Sequence, residues 1–201
     1  MKPTEVLSNE HRVIEQVLDC LERIIAEART NGRLDAASAG DAISFFRGFA
    51  DQCHHGKEEV HLFPALEAKG FSRAGGPTGV MFAEHEAGRA CVRAMSEAMD
   101  AAAQGDPAAL ARFAEAGGEY IALLRQHIEK EDHCLFSMAN QALTDEDQAE
   151  LMLKFEKVET EKMGRGTHGK FLVIARALAE KYGVKPKAVA DAGHSVACCH
   201  H

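Results

Sequence analysis

A histidine followed four positions later by a glutamate occurs twice in this chain, as His54 with Glu58 and as His127 with Glu131. On a helix, residues four positions apart lie on the same face. An imidazole beside a carboxylate offers the donor atoms that first-row transition metals accept. A single pair of this kind is more often a solvated surface pair, so it is the repetition that indicates a metal site.

The two pairs belong to a longer internal repeat. Leu62-Phe63 follows the first pair and Leu135-Phe136 follows the second, 73 residues later. One more histidine precedes each pair, His11 by 43 residues and His85 by 42. The chain therefore contains two copies of one set of potential ligands. The six candidate metal ligands are His11, His54, Glu58, His85, His127 and Glu131.

Apolar side chains recur at helical spacing along four segments, which predicts four long helices. We expect them at about residues 4–29, 35–69, 78–104 and 107–140, with Thr4 as the cap of the first helix. Each helix carries one inward-facing apolar stripe, and each stripe includes one of the four histidines. This pattern predicts an all-α, up-down four-helix bundle with a metal site built from facing side chains.

The second helix contains a doublet of histidines, of which only one falls on the inner stripe. His54 and Glu58 lie on that stripe, whereas His55 and Glu59 lie about a sixth of a turn or more away on a regular helix. His54 with Glu58 is therefore the preferred ligand pair. A buried carboxylate such as Glu58 is costly unless it is paired or bound to a metal.

The pattern divides the chain into three parts. Residues 1–142 are expected to form the bundle with its di-metal site, and residues 143–183 a helical extension packed on it. Residues 184–201 are expected to be a disordered tail. The tail ends in Cys198-Cys199-His200-His201, which are metal-binding residue types whose spacing matches no closed structural zinc site.

Composition and charge exclude several functional classes. The chain has 201 residues and a net charge of −8, which argues against a nucleic-acid partner. No apolar run approaches the roughly 18–20 residues that span a membrane, and the N-terminus lacks the apolar core of a signal peptide. We therefore expect a cytoplasmic protein in which Cys20, Cys53, Cys91 and Cys134 are reduced.

With these residues in place, residues 5–140 resemble the hemerythrin-like family of HHE cation-binding domains. The resemblance depends on His11, on His54-His55-x-x-Glu58-Glu59-x-x-Leu62-Phe63-Pro64, on Glu84-His85 and on His127-x-x-x-Glu131. It implies an up-down bundle that holds two non-haem iron ions joined by an oxo or hydroxo bridge. It also implies that the four histidines are terminal ligands and that Glu58 and Glu131 bridge the ions.

Two positions depart from the oxygen-carrying members of that family. Arg89 stands four residues after His85, where those proteins have a further histidine, and the last pair ends in Glu131. Asp132, at the next position, keeps the family's HxxxxD pattern as an alternative. One fewer histidine implies more open positions at the metal ions, which permits chemistry beyond reversible binding of dioxygen.

The resemblance thus implies a di-iron protein that binds and reacts with nitric oxide, hydrogen peroxide or dioxygen. The candidate activities are nitric oxide reduction, with an electron donor protein as partner, and peroxide decomposition. Tyr120, seven residues before His127, is a candidate hydrogen-bond donor to the bound oxidant, whereas Glu59 and Glu84 are expected to face solvent. The alternatives are a non-enzymatic sensor or store of dioxygen, nitric oxide or iron, a zinc or manganese site, and an interaction bundle without metal.

Overall fold

The computed structural model describes residues 1–158 and 167–187, and it contains six helices and no strand within those two ranges. Four of the helices are regular: α1 at Pro3–Asn31, α3 at Pro77–Ala103, α5 at Asp145–Lys157 and α6 at Thr167–Tyr182. The other two, α2 and α4, combine α-helical and π-helical segments. The all-helical fold predicted from the sequence is confirmed.

Both mixed helices become π-helical where the predicted ligands lie. α2 consists of the α segment Ala36–Phe45, the π segments Phe46–His55 and Glu58–Leu62, and the α segment Phe63–Ala68. α4 consists of Pro107–Lys130, the π segment Glu131–Leu135 and Phe136–Ala142. A π-helix bonds each N–H to the carbonyl five residues earlier, which widens the turn, and it occurs mostly at functional sites.

The helix ends follow the capping residues of the sequence with one exception. The side chain of Asp106 accepts a hydrogen bond from the N–H of Ala109 at 2.7 Å at the start of α4. Thr4 was predicted to cap α1, and this prediction is wrong because the helix already begins at Pro3. A proline is favoured in the first helical turn because it needs no N–H partner there. The Thr4 hydroxyl instead donates to Asn140 Oδ1 at 3.0 Å.

Two apolar clusters fill the bundle, one on each side of a polar layer. The larger cluster includes Ile14, Ala50, Val92 and Leu124. The smaller cluster includes Leu7, Leu62, Met81 and Leu135. On each of the four bundle helices the candidate ligands lie between a residue of one cluster and a residue of the other. The packing of α1 to α4 therefore places the ligands at one level of the interior, shielded from water on both sides.

The two C-terminal helices contact the bundle helices. α5 contacts α1 and α2, and α6 contacts the same two helices further along. Within α6 the ring of Phe171 approaches Gly48 so closely that a Cβ built on that glycine would lie 1.9 Å from Cζ of the ring. Beyond α6, Val184 packs against the larger cluster and Lys187 Nζ lies 3.3 Å from Asp19 Oδ2.

Some of the sequence predictions fall outside the described residues. They concern residues 159–166 of the predicted helical extension and residues 188–201 of the predicted tail. The tail residues include Cys198-Cys199-His200-His201. Within residues 1–158 and 167–187, no helix is both long and apolar enough to cross a membrane.

The contact between Gly48 and Phe171 yields a stability prediction. Gly48→Ala should lower the free energy of unfolding by about 1–3 kcal/mol, because the methyl group must displace the ring. Gly118→Ala is the matched control, since Gly118 is exposed in α4 and a Cβ there meets nothing within 4 Å. That change should stabilise the protein by about 0.5–1 kcal/mol. Equal effects of the two substitutions in urea unfolding would contradict this packing.

Candidate metal centre

The six ligands predicted from the sequence all lie in the polar layer, and none is more than 1% exposed. Their donor atoms form two groups that share Glu58, with all donor atoms of a group within 4.8 Å of one another. The first group is His11, His54, Glu58 and Glu131, and the second is His55, Glu58, His85 and His127. The structure thus brings the six residues together, and their role as ligands remains a prediction.

His55 joins the second group, although it is not one of the six ligands predicted from the sequence. Its ring is 5% exposed and stacks on the ring of His85, with centroids 3.8 Å apart and planes 14° apart. The physical reason is the π-helical segment Phe46–His55, which turns two adjacent histidines towards the interior. The sequence did contain a signal, the His54-His55 doublet. On the regular α-helix assumed for it, only His54 lies on the inner face. The centre therefore contains five imidazoles.

Two buried carboxylates lie at the middle of the centre without hydrogen bonds. Neither oxygen of Glu58 or Glu131 has a hydrogen-bond partner among the described residues. Burial and the negative charge of Glu131 raise the pKa of Glu58 well above its usual range. Burial alone would also raise the pKa of Glu131, but the charges of His127 and His11 lower it below its usual range. Two facing carboxylates in a dry interior favour a cation between them.

The Nε2 atoms of the imidazoles face these carboxylates. His11 Nε2 lies 3.2 Å and His127 Nε2 lies 3.3 Å from Glu131 Oε2. His54 Nε2 and His85 Nε2 lie 3.6 Å and 3.5 Å from the two oxygens of Glu58. The Nε2 atom of His11 also lacks a hydrogen-bond partner in the described part of the chain. Imidazole nitrogens and carboxylate oxygens thus converge on one interior volume.

Each of the five imidazoles has an acidic side chain at its other nitrogen, Nδ1. The pairs are His11 with Asp132 at 2.9 Å, His54 with Glu10 at 2.9 Å, His55 with Asp51 at 3.5 Å, His85 with Glu59 at 2.7 Å and His127 with Glu84 at 2.9 Å. An ionised carboxylate at Nδ1 keeps the proton on that nitrogen and leaves Nε2 free to bind a metal. Four of these contacts are hydrogen bonds and orient the rings of His11, His54, His85 and His127 towards the centre, whereas Asp51 lies beside Nδ1 of His55 without a hydrogen bond.

These contacts correct two expectations. Glu59 and Glu84 do not simply face solvent, because each binds the Nδ1 atom of a histidine on a neighbouring helix. Asp132 lies on the outer side of His11, whereas Glu131 is fully buried inside the centre. The geometry therefore favours Glu131 over Asp132 as the metal ligand. Sequence reasoning missed these roles of Glu59, Glu84 and Asp132 because each contacts a ring on another helix.

Each of the five acids is in turn paired with a basic side chain. Lys57 Nζ is fully buried and lies 2.5 Å from Glu10 Oε1. Although burial alone would raise the pKa of Glu10, the hydrogen bond to His54 and the charge of Lys57 lower it to about 2. Burial lowers the pKa of His54 to about 4, which keeps this ring neutral and its Nε2 lone pair available.

The orienting contacts follow the internal repeat. Glu10 holds His54 as Glu84 holds His127, and Lys57 binds Glu10 as Lys130 binds Glu84. The paired positions are 73 or 74 residues apart. The two halves of the bundle therefore build the same ligand and the same support for it, and the centre has an approximate internal twofold symmetry.

A cavity of about 260 Å³ reaches the second group from the surface. His55, His85, Arg89 and Tyr120 contribute to its wall. Tyr120 is 2% exposed and its ring packs edge-on against Phe46 at 4.8 Å. Burial raises the pKa of Tyr120 above its usual range, so its hydroxyl stays protonated and is able to donate a hydrogen bond.

The residues of the centre fit a pair of transition-metal ions. The buried carboxylate oxygens without partners and the oriented imidazoles are mixed nitrogen and oxygen donors, which suit iron among other metals. The five imidazoles and the two carboxylates would supply the donor atoms that hold such ions.

Comparison with known proteins agrees with this geometry. The family model described as the hemerythrin HHE cation binding domain matches residues 2–139. Three proteins described as uncharacterized, one from Mycobacterium bovis and two from strains of Mycobacterium tuberculosis, are each 25% identical over 160 residues. The match covers 80% of this chain and 62% of each relative, so the chain spans about three fifths of their length. No solved structure matches the chain.

The place of His55 in the second group is directly testable. His55→Ala should reduce the metal bound per chain after anaerobic loading with Fe(II), because it removes one imidazole from that group. His133→Ala is the control, since His133 is exposed on α4 and belongs to neither group. Metal content is measured by plasma emission after gel filtration. Equal iron content in the two variants would show that His55 is not a ligand.

Proposed function

The chain belongs to the hemerythrin HHE cation-binding domain family, and from this premise we propose that it is a non-haem di-iron protein that binds and reacts with small oxidants. The substrates in this proposal are nitric oxide, hydrogen peroxide and dioxygen. The observation that carries the proposal is the pair of buried carboxylates, Glu58 and Glu131, whose oxygens have no hydrogen-bond partners in the described residues. The Nε2 atoms of four imidazoles lie within 3.6 Å of these oxygens.

The side chains divide between two metal positions. His11 and His54 would hold one ion and His55, His85 and His127 the other, while Glu58 belongs to both groups. Glu131 lies close to His11 of the first group and to His127 of the second group. This position suits a second bridging role. The donors are imidazole and carboxylate without thiolate, which suits iron better than a soft metal such as Cu(I).

A bound pair of iron ions would supply redox chemistry at adjacent metals with positions left open for a small oxidant. The protein contributes the orientation of the imidazoles, the exclusion of bulk water and a proton donor. The acids that are hydrogen-bonded at Nδ1 orient four of the imidazoles, and Asp51 lies beside the fifth, His55. The apolar clusters on either side keep bulk water away from the reacting molecule. Tyr120 offers a hydroxyl proton at the wall of the cavity.

The cavity beside His55 and His85 suits the size of the proposed substrates. Its volume of about 260 Å³ admits a diatomic molecule or a peroxide with several waters. Reduction of two nitric oxide molecules to nitrous oxide and water consumes two electrons and two protons, so this activity needs an electron donor protein. Decomposition of two hydrogen peroxide molecules to water and dioxygen balances without a donor.

The experiment that tests this proposal combines iron content with reactivity. Protein loaded anaerobically with Fe(II) is mixed with nitric oxide, hydrogen peroxide or dioxygen, and both the near-ultraviolet spectrum and product formation are followed. Turnover of peroxide, or of nitric oxide with a chemical reductant, supports the enzymatic proposal. Reversible spectral change without turnover would instead identify a sensor or store, and absence of bound iron would overturn the di-iron proposal.

The role of Tyr120 is a separate prediction. Tyr120→Phe should leave the iron content unchanged and slow the reaction about tenfold, because one hydrogen bond to the bound oxidant is worth about 1–1.5 kcal/mol. Tyr182→Phe is the matched control, since this second tyrosine lies on α6 and contacts Asp35 at 3.4 Å. Stopped-flow kinetics compare the two variants with the unaltered protein. Wild-type kinetics for Tyr120→Phe would mean that Tyr120 serves only in packing.

A further inference from the structure

We propose that Arg89 is a positioning residue that holds His55 and His85 together in the orientation required by the second metal position. This inference rests on the metal centre of the proposed function. It concerns the position four residues after His85 at which the oxygen-carrying hemerythrins have a further histidine. Here the fifth imidazole comes from α2 as His55, and Arg89 supports it from α3.

The guanidinium of Arg89 joins the two acids that lie at the Nδ1 atoms of these rings, of which Glu59 is hydrogen-bonded to His85 and Asp51 lies beside His55. Arg89 Nε and Nη2 each lie 2.8 Å from Asp51 Oδ1, and Nη2 lies 2.7 Å from Glu59 Oε1. The same oxygen of Glu59 lies 2.7 Å from Nδ1 of His85, and the same oxygen of Asp51 lies 3.5 Å from Nδ1 of His55. One cation therefore reaches both imidazoles through one carboxylate each.

The other three histidines do not share a cation in this way. Among the described contacts, the acid at His11 is bound by Arg12, the acid at His54 by Lys57 and the acid at His127 by Lys130. Loss of Arg89 therefore removes support from two rings at once, and both belong to the second group. The first group keeps its own supports.

The cluster around Arg89 is also where the internal repeat breaks down. With the offset of 73 or 74 residues, His55 corresponds to Ile128, Asp51 to Leu124 and Arg89 to Glu15. None of the three has a counterpart of the same chemistry in the other half of the bundle. The added imidazole, its acid and its cation therefore form one unit that makes the second metal position different from the first.

Arginine suits this position better than lysine. A guanidinium offers several N–H donors in a fixed planar fork, so it can bind two carboxylates at once, whereas an ammonium group acts as a point charge. The side chain of Arg89 is 28% exposed at the wall of the cavity. Its contacts are thus reinforced by partial burial and remain next to the route by which small molecules approach.

The test compares Arg89→Gln and Arg89→Lys with the matched control Arg93→Gln. Arg93 lies one turn further along α3, contributes to the same cavity wall and contacts Glu86, not the acids at the rings. The first measurement is the ¹⁵N NMR spectrum of the imidazoles in metal-free protein. Arg89→Gln should change the Nδ1 signals of His55 and His85 and leave those of His11 and His54 unchanged, while Arg93→Gln should change none of them.

The second measurement is an anaerobic Fe(II) titration against a competing chelator. Arg89→Gln should weaken the second ion about 10- to 100-fold, as losses of ligand-orienting partners usually do, and leave the first ion unaffected. Arg89→Lys should fall between Arg89→Gln and the unaltered protein. The Arg93→Gln protein should titrate as the unaltered protein does.

Two results would overturn the positioning role. One is unchanged Nδ1 signals of His55 and His85 in metal-free Arg89→Gln. The other is an equal change at all five imidazoles and at both ions, which would indicate general loss of structure. The NMR measurement needs no metal, so it decides the role of Arg89 even if the unaltered protein binds no iron or reacts with no oxidant, which would count against the proposed function alone.

Discussion

The structure depends on two glutamates that face each other in the dry interior of the bundle. Glu58 and Glu131 are fully buried, and their oxygens have no hydrogen-bond partners among the described residues. Carboxylates in such a place are costly unless a cation or a proton compensates their charge. Burial and the negative charge of Glu131 raise the pKa of Glu58 well above its usual range. Bound metal ions would compensate the charges of both carboxylates.

The remaining features of the centre serve this pair. The imidazoles bring their Nε2 atoms to the carboxylates, the outer acids fix the rings through Nδ1, and basic side chains such as Lys57 and Arg89 hold those acids. The apolar clusters above and below exclude water, which strengthens every charge interaction in the layer. Each layer of residues around the carboxylates thus compensates the charge of the layer inside it. Arg89, in the outermost layer, borders the cavity.

The helices, and the six residues that lie in the polar layer, were predictable from the sequence. Both follow from the helical spacing of apolar side chains. A stripe such as Leu7, His11, Ile14 marks a buried helical face whatever the partner helix is. The place of His55 was not predictable in this way, because a local π-helical segment changes which face a residue occupies. The orienting acids were also missed, since Glu10 contacts His54 across 44 residues and spacing along one helix carries no information about such pairs.

The central claim, that the buried carboxylates are built for metal, is tested most directly by unfolding free energies with and without Fe(II) for the unaltered protein and for Glu58→Gln. Removing one of two facing carboxylates should make the metal-free protein more stable by about 1 kcal/mol or more, and iron should then stabilise only the unaltered protein. The exposed Glu129→Gln on α4 is the control and should behave as the unaltered protein. A metal-free Glu58→Gln protein that is less stable, together with no stabilisation of the unaltered protein by iron, would contradict the claim.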